Sequence, residues 1–324
     1  MTRYLIGPAI LTALSLVGIL LWGGVEAFLL ASLLIVLEVT LSFDNAVVNA
    51  RVLRGMSDLW QRRFLTWGIL VAVVGTRLVL PVLIVAVAVF ASPYSVFMLA
   101  LTNPEAYGEL LLGSKYIIGA FGGAFLLMVS LKYFFNQAKE VHWIEILERT
   151  FVSWGRIEAI EIALALVVLV GVYAFVGHAS ILVAGIVGIL LFIVMEGVTH
   201  SLGDGVGHVA RAGFSAFIYL NVLDAAFSLD GVVAAFAITT ALPIIVVGLG
   251  LGAYMVRTLT VIMVKRRTLD TLKYLEHGAH WAIFGLAGAM LLNLVIHVPE
   301  IITGLIGLLF VGLSYYSSRK EKKA

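Results

Sequence analysis

Two stretches carry carboxylates at matching spacing. Leu37 to Ala50 reads LEVTLSFDNAVVNA, and Leu223 to Phe236 reads LDAAFSLDGVVAAF. Laid over each other without a gap (38 onto 224, an offset of 186), Glu38 falls on Asp224, Ser42 on Ser228 and Asp44 on Asp230. Both copies sit in long apolar runs, where each ionisable side chain costs roughly 2.5–3.5 kcal/mol at the centre of a spanning helix. Something must compensate. Glu38, Asp44, Asp224 and Asp230, with Asn45 and backbone carbonyls, would form an all-oxygen site suited to a hard divalent cation: manganese, calcium or magnesium. The competing reading makes the acids structural partners of Arg77 and Arg257, although two arginines cannot neutralise four acids. Ser42 and Ser228 read first as packing or backbone-bonding residues. Asn49, one turn beyond Asn45, either extends the site or merely marks a helix end.

The elements that must position these residues follow from composition. Of 324 residues, 62% are hydrophobic and 12% charged, and the mean hydropathy is +1.09. This is an all-α polytopic membrane protein in a lipid bilayer, with no nucleic-acid partner to explain its net charge of +2. About ten spans of near ~20 residues are expected, at 4–22, 26–49, 66–91, 116–135, 159–177, 180–200, 214–240, 242–263, 279–296 and 299–317. The first could alternatively be a signal peptide, but Val25-Glu26-Ala27 is a poor cleavage site. Within each motif the acids are six residues apart, about 120° around a regular helix. Bringing them together needs a local break, expected at Ser42–Asn45 and again at Ser228–Gly231.

With ten spans, all but Lys115, Arg77 and Arg257 of the 21 Lys and Arg fall on one side. The positive-inside rule makes that side, with both termini, cytoplasmic. The motifs then lie on helices 2 and 7, five spans apart, and cross the membrane in opposite directions. That is the signature of an inverted repeat, approximately 1–135 and 180–317, joined by a charged connection at 136–158 within one transmembrane domain covering 1–324. Helices 3 and 8 each carry an arginine, and helices 4 and 9 are both glycine-rich.

Two further clusters could bind metal. Glu196, His200, Asp204 and His208 recur every four residues, which would align them on one helical face, but glycines interrupt the segment. Glu276, His277 and His280 open helix 9, where solvated or hydrogen-bonded histidines are the plainer reading. With no cysteine, thiol chemistry and zinc–thiolate sites are excluded. No catalytic signature (HExxH, GxSxG, a Gly-rich phosphate loop) is present, so the chain is not expected to be an enzyme or to carry a prosthetic group. A membrane enzyme, or an assembly or stress-response partner with catalytic or structural acids, is the alternative to transport.

The paired motifs resemble those of the TerC family of integral membrane proteins, within the lysine-exporter superfamily. The segment YMVRTLTV…LEHGAHWAI is similar to a TerC-like, largely uncharacterised bacterial branch. The resemblance implies a multi-pass protein of the bacterial inner membrane that exports a divalent cation. Mn2+ is the first choice, and Glu38, Asp44, Asn45, Asp224 and Asp230 would line the ion site. The acids would bind the dehydrated ion when deprotonated and release it on protonation or on opening outward. Gly231, Val232 and Val233 depart from the serine and proline that family members tend to carry after the second aspartate. The metal, the direction, the coupling ion and any homo-oligomer stay open.

Overall fold

The computed structural model describes residues 2–201 and 209–321, and among these there are helices and no strands. The first half contains α1 (Thr2–Leu41), α2 (Phe43–Arg54), α3 (Asp58–Leu70), a π-helical stretch (Val71–Val79) and α4 (Leu80–Ala88). It continues through α5 (Pro93–Thr102), α6 (Pro104–Gly113), α7 (Lys115–Phe134), α8 (Glu145–Trp154) and α9 (Ile160–Val176). The second half contains α10 (Ala179–Ser201), α11 (Val209–Ile238), α12 (Leu242–Lys265), α13 (Thr268–Thr271), α14 (Leu275–Leu292) and α15 (Glu300–Glu321). The ten expected stretches all overlap helices, but 4–22 and 26–49 share α1, and 66–91 runs over α3, the π-helical stretch and α4. Among the described residues, six helices are long and apolar enough to cross a membrane: Tyr4–Leu41, Asp58–Ala88, Lys115–Phe134, Ala179–Val198, Gly213–Ile238 and Leu242–Lys265. Pro93–Thr102 and Ile160–Val176 are apolar but shorter, and α14 opens with Glu276, His277 and His280, which dilute its apolar content.

The longest of these is not straight. Gly24 adopts φ 72 and ψ −166 inside α1, a conformation that glycine takes without a Cβ clash. Beyond it, Leu34 and Glu38 pack on Gly248 and Gly252 of α12, while Gly7 lies beside the Tyr254 hydroxyl of the same helix. At 1.5 Å per residue, an unbroken helix would hold positions 7 and 38 on the order of 45 Å apart. Meeting neighbouring turns of α12 therefore requires α1 to fold back at Gly24 as a helical hairpin.

Basic loops gather at one end of the bundle. Arg51 pairs with Glu276 and Arg54 with Asp270, while Lys265 reaches Asp58 at 3.0 Å and Lys273 reaches Glu321 at 2.6 Å. At the opposite end Tyr107 packs edge-on against Phe236. Between the ends, α7 and α14 pack together with α2 and α11 against them. Gly122 and Gly123 admit Met290 and Leu291 at distances that a Cβ would crowd, so small residues set this approach.

Candidate functional site

Both motifs lie in the middle of the packed helices, and Glu38, Asp44, Asn45, Asp224 and Ser228 are buried. In the first copy the helix is distorted at Ser42, which separates α1 from α2 with φ −101 and ψ 13. Backbone hydrogen bonding still runs through it, from Ser42 N to Glu38 O and from Ala46 N to Ser42 O. The break expected at Ser228–Gly231 does not occur, because α11 is continuous from Val209 to Ile238. No break is needed to neutralise its first acid: Arg257 reaches Asp224 across from α12.

The first-position acids are both paired with arginine. Arg77 donates to Glu38, and Ser42 Oγ donates to the same carboxylate at 3.1 Å. Arg77 also donates to the Ala72 carbonyl at 2.6 Å and to Thr76 Oγ1 at 3.0 Å. The π-helical stretch that carries it is a rare backbone geometry, frequent at functional sites. In the second half Arg257 donates to Asp224 at 2.8 Å and to Asn221 Oδ1 at 3.1 Å. It also reaches the Phe64 carbonyl at 3.3 Å and lies 4.4 Å from the Phe64 ring centroid. Gly68 makes room for it, since a Cβ there would stand 2.3 Å from the guanidinium.

Contacts join the two motifs. Asn45 Nδ2 donates to Asp224 Oδ1 at 2.8 Å, and Gly231 lets Glu38 approach so closely that a Cβ would lie 3.2 Å from its Oε2.

Asp44, the second-position acid of the first motif, has no arginine among its described contacts. Asp44 is 2% exposed. Its Oδ1 has no hydrogen-bond partner, and neither do Asn45 Oδ1, Asn49 Oδ1 and Ser228 Oγ. Buried oxygens without a donor are uncommon and call for a physical cause. Across from Asp44 is Gly307 of α15, whose Cβ would lie 3.8 Å from the carboxylate. Asp230 is half-buried and lines a cavity of about 70 Å³ with Thr303, one turn before Gly307. Asp44 and Asp230 therefore approach the same helix at adjacent turns. Among the described residues no three His, Asp or Glu side chains gather at metal-binding spacing, so the structure does not draw the four acids around one point. It divides them into an arginine-paired set and a pair facing α15.

The other clusters resolve differently. Lys132 holds Glu196 at 2.9 Å and Glu161 at 3.4 Å. The His200 side chain, Asp204 and His208 lie outside the described residues. Glu276 pairs with Arg51, while His280 stacks on Tyr133 at 3.6 Å and hydrogen-bonds the Glu276 carbonyl. His277 instead joins a centre that sequence reasoning missed. Glu148, on α8 in the connection, is fully buried and accepts from His277 Nδ1 at 2.9 Å, Trp281 Nε1 at 2.9 Å, Lys139 Nζ at 2.8 Å and the Trp143 N–H at 3.2 Å. Burial pushes its carboxyl up, but the bonds from His277, Lys139 and Trp281 outweigh burial and hold it at about 2. A carboxylate only accepts, so His277 carries its proton on Nδ1, and burial keeps that imidazole below its ordinary value. The available signal was His277 and Trp281 one turn apart, two donors presented on one face of α14.

Comparison with curated proteins gives no match, and neither does comparison with solved structures. Residues 43–324, which include every element of the site except Glu38 and Ser42, match the family model described as Protein of unknown function (DUF475), and the chain belongs to that family.

Proposed function

We propose that this protein is a secondary transporter that moves a divalent metal cation, Mn2+ first, outward across the bacterial inner membrane, with both termini cytoplasmic. The observation that carries the reading is the set of buried oxygens on α2 without donors, Asp44 Oδ1, Asn45 Oδ1 and Asn49 Oδ1. They lie beside a carboxylate that no arginine is seen to neutralise. A hard cation is stabilised by such carboxylate and amide oxygens, and buried acids in helical bundles commonly mark ion pathways. In this reading Asp44, Asn45 and Asp230 touch the cation. Glu38 and Asp224, neutralised by arginine, hold the two halves in register and can exchange partners as the site opens.

Ten spans arranged as an inverted repeat account for the motif contacts. Glu38 stands to Asp224 as Asn45 stands to Gly231, so exchanging the halves turns the Glu38–Gly231 approach into the Asp224–Asn45 bond. The fold-back at Gly24 divides Tyr4–Leu41 into two spans, and the clustering of basic loops agrees with a single cytoplasmic face. The resemblance of both motifs to the TerC family supports metal export over enzyme chemistry. Purified protein in sealed vesicles, loaded in turn with Mn2+, Ca2+ and Mg2+, tests the proposal. Protein-dependent flux of at least one ion is the expected result, and absence of flux for all three in either direction would overturn it.

A further inference from the structure

We propose that the cavity beside Asp230 is an outer station for a divalent transition-metal cation, in which the ion competes with the ammonium of Lys115. The inference rests on the transport reading above and assigns a second, weaker stop on the same route. The cavity is walled by Asp230 of α11, Lys115 and Tyr116 of α7, Asn293 and His297 from the segment after α14, and Thr303 of α15. Its volume of about 70 Å³ holds an ion with one or two waters. It lies at the end away from the basic loops, and Lys115 is the one Lys or Arg among the described residues at that end. The other acids there, Glu26, Glu105 and Glu109, leave that rim negative and favour cation approach.

The donor chemistry is mixed. A carboxylate alone suits Mg2+, Ca2+ and Mn2+, whereas an added imidazole turns preference toward first-row transition metals. Asp230 and His297 supply one of each, and the Thr303 hydroxyl supplies an oxygen. Two strong protein ligands are too few for a tight resident site, which is what a transit station requires: binding favourable enough to enter and weak enough to leave. Lys115 is exposed, and its ammonium rests 5.1 Å from the Tyr116 ring centroid. It can therefore swing toward Asp230 when the ion departs. A neighbouring positive charge lowers cation affinity without touching the buried acids.

The α15 helix links the stations, with Thr303 at the cavity and Gly307 at Asp44 one turn deeper. The test is Mn2+ binding to the detergent-solubilised full chain, followed by the loss of free-Mn2+ resonance, for wild type and for Lys115→Gln, Asp230→Asn, His297→Asn and Asp44→Asn. Two classes of bound Mn2+ are expected. Asp230→Asn should remove the weaker class only, and Lys115→Gln should tighten that class on the order of tenfold. His297→Asn should reduce its preference for Mn2+ over Mg2+. Asp44→Asn should remove the other class. If Asp230→Asn and Lys115→Gln leave both classes unchanged while Asp44→Asn removes one, the outer station is wrong and the transport reading survives at Asp44 and Asn45 alone. If wild type binds no Mn2+, Ca2+ or Mg2+, both fall together.

Discussion

The two copies of the acidic motif reach the same ionic arrangement from different backbones. In the first, the helix is distorted at Ser42 and the arginine comes from a π-helical stretch; in the second, α11 and α12 are regular through Asp224 and Arg257. The first copy reaches across with Asn45, a side chain that bonds; the second offers Gly231, a position that only makes room. Their second acids diverge further, Asp44 being sealed against Gly307 and Asp230 lining a cavity. Acid–arginine pairing is what the bundle requires in both halves, because an unpaired buried charge is costly. The remaining positions are free to differ, and they differ where an ion would enter or leave.

Removing one arginine should have the largest effect. Arg77→Ala or Arg257→Ala leaves a buried carboxylate without its partner, and thermal unfolding in detergent should register a loss of about 3–5 kcal/mol. Neutralising both members, as in Glu38→Gln with Arg77→Met, should recover most of that loss. A single-arginine variant as stable as wild type would show that the pairs do not hold the halves together.

Glu148 sharpens the contrast between the membrane core and the connection beside it. Its pKa is depressed in the fold, so its stabilisation is complete above the ordinary carboxyl value of 4.5 and fades as pH falls toward about 2. His277, also lowered, is neutral in the fold, and its contribution is likewise lost as pH drops through and below 6.5. Hydrogen-exchange protection over 136–158, corrected for the intrinsic pH dependence of amide exchange, should therefore weaken as pH falls from 7 toward 2. Glu148→Ala should reproduce the loss of protection at pH 7, costing about 2 kcal/mol by leaving buried donors unanswered. Protection unchanged across that range would refute the role given to Glu148.

The bridging positions should give smaller effects than the loss of an arginine, with Gly231 the smallest of all. Asn45→Ala removes a 2.8 Å bond to a charged acceptor and should cost about 1.5–3 kcal/mol. Gly231→Ala places a methyl 3.2 Å from Glu38 Oε2, which a small shift of the carboxylate relieves, and should cost about 1 kcal/mol. If Gly231→Ala were the more damaging in thermal unfolding, the second copy and not the first would be the tighter contact.

Much of this was legible in the chain itself, for physical reasons. Acids in apolar runs stand out because lipid makes them costly, and Arg77 and Arg257 stand out likewise, so both members of each pair could be named. Hydropathy placed a boundary between 22 and 26, where Gly24 turns the chain. Other features were hidden. Glu148 sits in a charged connection where a carboxylate looks solvated, and its partner His277 is 129 residues away. The π-helical geometry around Arg77 depends on packing that no local pattern encodes. The break expected at Ser228–Gly231 assumed that four acids must meet, whereas arginine pairing had already removed that need for two of them.

The most direct test of the transport account is Mn2+ flux into sealed vesicles, compared among wild type, Asp44→Asn with Asp230→Asn, and the charge-neutral pair Glu38→Gln with Arg77→Met. Hard divalent ions depend on carboxylate charge, so the double aspartate variant should insert normally and move no Mn2+. The neutral pair should retain part of the flux. Wild-type flux from the double aspartate variant would contradict the account.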